Sequence, residues 1–91
     1  MFGISDFYLK ALQEILENYK AVVFGSRARG DFGKTSDIDI CIFDIIDTKS
    51  YLDLLIKIDE LEMPVQVDLV IFKNLDDPVL KENISKEGVK I

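Results

Sequence analysis

The sequence predicts an α/β fold, a short sheet packed against helices, with its elements in the order αβαβαβα. Two stretches carry apolar residues at helical spacing, three short segments rich in strand formers alternate with them, and glycine or proline stands at most of the boundaries. Apolar residues make up 48% of the chain and charged ones 31%, the balance of a packed protein and not of a disordered tail. At 91 residues the chain suits one domain, 1–91, that buries about 60–65% of the surface its unfolded form exposes.

The first helix is expected over 5–19, where Tyr8, Ala11, Leu12, Ile15, Leu16 and Tyr19 form an apolar stripe and Ser5 stands as N-cap. The run Ala21-Val22-Val23-Phe24 then reads as a buried strand closed by Gly25. Residues 26–30 hold helix formers between a possible capping serine, Ser26, and a glycine stop, enough for one or two turns. A polar loop over 31–36 leads into a second strand, 37–43, which sets Asp37, Asp39 and Cys41 on one face and Ile38, Ile40 and Ile42 on the other. Helical spacing returns over 49–62 through Tyr51, Leu52, Leu55 and Ile58, and Pro64 prevents continuation. The third strand, 65–72, places Gln66, Asp68 and Val70 opposite Val65, Val67, Leu69 and Ile71. Asp76 or Asp77 ahead of Pro78 starts a last helix that ends near Gly88.

Bulk charge narrows the partners. A formal charge of −6 repels polyanions, so general nucleic-acid binding and anionic membranes are not expected. Only Arg27, Arg29 and Lys34 crowd basic charge into one region. Cys41 is alone, which rules out an internal disulfide, and it reads as an inert buried side chain. No signal peptide and no apolar run of membrane-spanning length stands out, so the expected location is cytoplasmic.

The chemistry concentrates in Gly25-Ser26-Arg27-Ala28-Arg29-Gly30, followed after a short loop by Ser36-Asp37-Ile38-Asp39. Strand, glycine-serine turn and helix together present backbone N–H groups and a hydroxyl suited to phosphate. The glycine spacing imitates a P-loop, but Asp31 and Phe32 stand where that motif needs Lys and then Ser or Thr. Asp37 and Asp39 share a strand face with Cα atoms about 6.5–7 Å apart, close enough for both carboxylates to lean onto metal ions. Asp68 completes a set of three if its strand pairs alongside. Acids gathered with so few cations repel one another, and Mg²⁺ relieves that repulsion while requiring hard oxygen ligands. Two such ions suit in-line displacement at a triphosphate, with an attacking hydroxyl activated on one and the leaving pyrophosphate steadied by the other. Asp68 is also placed to accept the proton of the nucleophile.

These motifs resemble those of the polymerase-β-type nucleotidyltransferases, and in particular their single-domain minimal branch, whose signature is Gly-Ser-x-Ala-Arg-Gly, a loop, Ser-Asp-x-Asp and a third acid on a later strand. The chain matches each part with residues 25–30, Ser36-Asp37-Ile38-Asp39 and Val67-Asp68-Leu69, and the likeness in element order covers nearly all of it. The resemblance implies an αβαβαβ core with a short mixed sheet. It implies that Asp37 and Asp39 bind both Mg²⁺ ions, that Asp68 binds the catalytic one, and that Gly25 and Ser26 contact the triphosphate. Arg29 and Ser36 also occupy motif positions and are expected at the nucleotide, although Arg29 could equally pair with Asp31. Arg27 falls on the variable position, where the resemblance assigns no role and only its charge suggests a phosphate contact.

Larger members of the family add domains for the acceptor, and this chain stops after the catalytic core. The resemblance extends to antitoxins of HEPN/MNT toxin–antitoxin pairs, which transfer AMP from ATP to a tyrosine of the HEPN partner. It implies ATP as donor, a HEPN-domain toxin as partner and acceptor, and room for a larger hetero-oligomer. Two alternatives stay open: a module that neutralises its partner by binding alone, and a small-molecule transferase similar to aminoglycoside-modifying enzymes.

Overall fold

The strands find their places through the alternation of their side chains. The computed structural model describes residues 1–91. Its elements are α1 (Asp6–Ile15), β1 (Ala21–Phe24), α2 (Ser26–Arg29), β2 (Ile38–Ile42), α3 (Thr48–Glu60), β3 (Val67–Ile71), a 3-10 turn at Phe72–Asn74, α4 (Pro78–Glu87) and β4 (Val89–Lys90). The strands form one mixed sheet in the order β3-β2-β1-β4. β1 runs antiparallel to both β2 and β4, and β2 runs parallel to β3 through the α3 crossover that a parallel pair requires.

One face of the sheet packs on α1 and α3. Val23, Ile38, Ile40 and Ile42 are fully enclosed there with Leu12 and Leu16 of the first helical segment and Leu54 and Ile58 of α3. Burying each of these aliphatic side chains contributes about 1.5–3 kcal/mol, so the isoleucine face of β2 anchors the fold. The opposite face carries Val22, Phe24, Cys41 and Val70, and Leu80 and Ile84 of α4 close over it with Phe43, Phe72 and Leu75. Cys41 is completely buried, as its sequence context suggests. No helix is long and apolar enough to cross a membrane.

Several boundaries differ from the sequence expectation. The apolar stripe continues to Tyr19, yet α1 ends at Ile15, because the chain tightens into turns (Glu17 N–H to Glu14 O and Tyr19 N–H to Leu16 O) before entering β1. Ser5 occupies the N-cap of α1 but its side chain makes no capping bond. At α2 the N-cap is Gly25 and not Ser26, which is the first helical residue. Asp77 does cap α4: its Oδ1 accepts from Val79 N at 2.9 Å and Leu80 N at 3.3 Å. β4 and the 3-10 turn are too short to leave a periodic signal. Gly88 ends α4 with φ −58°, so handedness is not what selects it; a Cβ there would stand 2.9 Å from Val22 Cγ2 and 2.7 Å from Ile84 O. Its missing side chain lets β4 approach β1.

Candidate active site

The site starts where β1 runs out. Gly25 turns the chain at φ 73° and ψ −156°, a region essentially reserved for glycine, and α2 begins at the next residue. Ala28 and Arg29 N–H bond back to Gly25 O at 3.1 Å each, and Gly30 closes the short helix in the left-handed conformation. A Cβ on Gly25 would lie 2.6 Å from Asp39 Oδ2. The glycine therefore does two jobs, reversing the chain and leaving space for an acid on the neighbouring strand.

Register places that acid. Asp39 is the paired residue of Phe24 on β1 and of Asp68 on β3. Paired residues on adjacent strands share a face, and the strands lie about 4.8 Å apart, so the two carboxyl groups stand side by side. Burial holds the Asp39 carboxyl above the usual carboxylate range, the charges of Asp68 and Asp37 add to the rise, and Arg29 opposes it weakly. Asp37 stands exposed just before β2. The three carboxyl groups do not converge into a ready-made three-ligand nest. Asp39 and Asp68 form the close pair, and Asp37 remains the open member beside it.

The donor chemistry suits a hard divalent cation. The chain has no histidine, and Cys41, on the Asp39 face of β2, is sealed under α4, so the site offers carboxylate oxygens without a soft ligand. A cation would offset the burial and the neighbouring charges that together raise Asp39.

The remaining motif residues divide. Ser26 opens α2 next to Gly25, at the helix end where the first N–H groups have no carbonyl within the helix to bond. Ser36 Oγ accepts from Gly33 N at 2.9 Å and so tightens its own loop. Arg29 is tied to Asp31 at 3.1 Å and to Glu87 of α4 at 2.9 Å, both near the surface. Arg27 faces inward, 4% exposed, with its guanidinium donating to backbone carbonyls, so a phosphate contact from it is not what the fold provides. Its burial could have been suspected from Phe32, the lone aromatic of a polar loop, which stacks on it at 4.8 Å. Gln66 was not singled out by the sequence; its Nε2 donates to Asp68 Oδ1 at 3.1 Å. The alternation of β3 already placed Gln66 on the Asp68 face, which is the signal that pointed to it.

Comparison with known proteins identifies the family. Residues 7–91 match the nucleotidyltransferase domain family. The chain is 33% identical over 97 residues to a Methanocaldococcus jannaschii protein to which protein adenylyltransferase activity is ascribed, covering 97% of this chain and 94% of that protein. A second protein of that organism with the same ascription is 39% identical over 72 residues, covering 74% and 83%. A solved structure described as a minimal nucleotidyltransferase superposes with a TM-score of 0.70 at 26% identity, covering 90% of this chain and 87% of that one. A chain from a toxin–antitoxin crystal structure with AMP-PNP superposes with a TM-score of 0.69 at 24% identity, covering 89% and 69%, a likeness of fold. With the glycine-serine turn seated against one of two paired strand acids, and with the match running through nearly the whole sequence, the chain belongs to the nucleotidyltransferase domain family and is a nucleotidyltransferase.

Proposed function

We propose that the chain transfers AMP from ATP to a hydroxyl of a partner protein, with a tyrosine of a HEPN-type toxin as acceptor, and so acts as the antitoxin of the pair. The observation that carries the reading is the Asp39–Asp68 pairing, with Gly25 packed against the Asp39 carboxylate. The ascribed activity of the two relatives supports a protein acceptor, and the toxin–antitoxin neighbour supports the kind of partner.

In this reading Asp37, Asp39 and Asp68 hold divalent ions, Mg²⁺ in the cell, and Gly25, Ser26, Arg29 and Ser36 face the nucleotide. Bound there, the ions supply charge neutralisation for the triphosphate and lower the pKa of the acceptor hydroxyl. The acceptor oxygen forms a bond to the α-phosphorus as the bond to the β-phosphate oxygen breaks in line, and pyrophosphate leaves with that electron pair. Asp68 takes the acceptor proton, and Gln66 steadies the carboxylate that receives it. The Gly25–Ser26 turn directs its N–H groups and hydroxyl at the phosphates.

The test is incubation of the purified chain with the product of its neighbouring gene, labelled ATP and Mg²⁺, comparing wild type with Asp37→Asn/Asp39→Asn. Label on the partner that depends on both aspartates supports the proposal. A stable complex without label, with other nucleotides also tried, would sink it and favour neutralisation by binding alone. That second reading has its own observation: Leu52 and Ile56 of α3 are 50% and 55% exposed on a groove that Asp59 and Glu62 also line.

A further inference from the structure

Arg27 is the sole buried charged side chain, and no carboxylate pairs with it although the sequence holds seventeen acids. Buried arginines ordinarily offset their desolvation with a carboxylate partner. This one uses main-chain carbonyls instead. Nε donates to Ser36 O at 2.9 Å, Nη1 to Phe2 O at 3.0 Å and to Gly3 O at 3.4 Å, and Nη2 to Lys34 O at 3.5 Å. The side chain thereby joins α2 to two segments distant in sequence, the first residues of the chain and the loop that enters β2.

Both segments are shaped to receive it. Phe2 is buried and, like Gly3, has a positive φ, 58° and 71° respectively, so the arm folds back in a conformation that tertiary contacts must hold. The Phe32 ring fills the space that a side chain on Gly3 would need, and the same ring covers the guanidinium. On the loop side, Ser36 O is fixed by Arg27, and Ile38 N–H bonds to Gln66 O at 2.9 Å. Asp37 lies between those two pinned residues. Exposed itself, it has its backbone held at both ends.

We infer that Arg27 is a positioning residue that presents Asp37 to the metal site by clamping the 34–36 loop onto α2 and the Phe2–Gly3 arm. The inference rests on the reading of Asp37, Asp39 and Asp68 as metal ligands. It assigns a function in the site to an arginine that touches neither nucleotide nor ion and to an arm far from the motifs in sequence.

The experiment compares wild type, Arg27→Met, Arg27→Lys and Asp37→Asn. Mn²⁺ affinity is measured by calorimetry without nucleotide, and hydrogen exchange is followed by mass spectrometry. Arg27→Met keeps the aliphatic stem and removes every donor. Its expected behaviour is a folded protein whose 31–37 segment exchanges faster while β2 keeps its protection, with Mn²⁺ affinity reduced by about 10–100-fold as for other residues that orient metal ligands. Arg27→Lys, which retains charge and part of the carbonyl bonding, should recover part of the affinity, and it carries the same comparison if Arg27→Met does not fold. Loss of thermal stability with wild-type Mn²⁺ affinity and wild-type exchange in 31–37 would overturn the inference, leaving Arg27 as structural filling. Wild type without Mn²⁺ binding would instead sink the metal reading, and the exchange measurement would still decide whether Arg27 holds the loop.

Discussion

Substituting Gly25 by alanine tests whether turn and acid are one unit. The backbone there has φ 73° and ψ −156°, and a non-glycine residue in that region costs about 1–3 kcal/mol. The added Cβ would stand 2.6 Å from Asp39 Oδ2, so the carboxylate must also rotate off its preferred geometry, a further ~1 kcal/mol. The sum of about 2–4 kcal/mol lowers the thermal midpoint of so small a protein by roughly 10–30 °C. Gly30 provides the control. Its φ of 93° also penalises alanine, yet no atom lies within 4 Å of the new Cβ, so Gly30→Ala should lose only about 1–2 kcal/mol. Differential scanning calorimetry gives both midpoints, and nucleotidyl transfer with Mn²⁺ binding, measured at a temperature where both variants are folded, gives the site. Gly25→Ala should lose most of its activity and Gly30→Ala little. Equal midpoints for the two variants together with full activity in Gly25→Ala would refute the coupling of turn to acid.

Charge removal at Asp39 should act oppositely on stability and function. Asp39→Asn removes a charge penalised first by burial and then by Asp68 and Asp37, so in chelator its thermal midpoint should rise above wild type, while added Mg²⁺ should stabilise wild type alone. Cys41 is fully buried and burial pushes its thiol up to about 11, so iodoacetamide at pH 8 should label it only at the rate of unfolding, read by mass spectrometry. Asp47 stands at the N-cap of α3, where its carboxylate lies beside Ser50 without closing a well-aligned capping bond; Ser50 first, and Lys49 more weakly, hold it below the usual range. A lowered carboxyl contributes stability above its unfolded pKa of about 3.9 and loses that contribution as pH falls through the folded value. Asp47→Ala should therefore unfold at a lower midpoint than wild type at pH 7, with the gap closing below pH ~4 in a series of denaturation curves.

The sequence made the strands of this fold legible because their faces differ so sharply. Ile38, Ile40 and Ile42 announce a buried face, and Asp37 and Asp39 on the other announce one that packing does not explain. Asp68 was readable as a lone acid in an apolar strand, but its partnership with Asp39 depends on a parallel register that local periodicity does not contain. The burial of Arg27 was not legible for a related reason. The residue stands between Ser26 and Ala28 in a short glycine-bounded stretch, and the atoms that accept its hydrogen bonds are backbone carbonyls of residues 2, 3, 34 and 36, which leave no mark in composition. The same holds for β4, whose two residues are placed by the absence of a side chain at Gly88 more than by their own preference.

The position of the site follows from how far α4 extends. β2 presents Asp39 and Cys41 to the same side of the sheet, and β3 presents Asp68 and Val70 beside them. Leu80 and Ile84 close over Cys41 and Val70, while Asp39 and Asp68, one pleat earlier, stay partly open. Where the cover reaches, the residues are apolar. Where it stops, they become acids, and the glycine turn from β1 arrives at that same level because Phe24 pairs with Asp39. Two neighbouring carboxylates could not sit under α4 without a large desolvation cost, and they would repel to little purpose on a wholly exposed surface. Half-burial raises the cost of their charge, so a cation placed between them would be favoured. An apolar substitution at either acid should therefore leave the fold intact and extend the hydrophobic face: Asp68→Val should unfold at or above the wild-type midpoint in chelator and show no stabilisation by Mg²⁺. If Asp68→Val instead unfolded well below wild type, the acid would be supporting the sheet, and its place in the site would have to be abandoned.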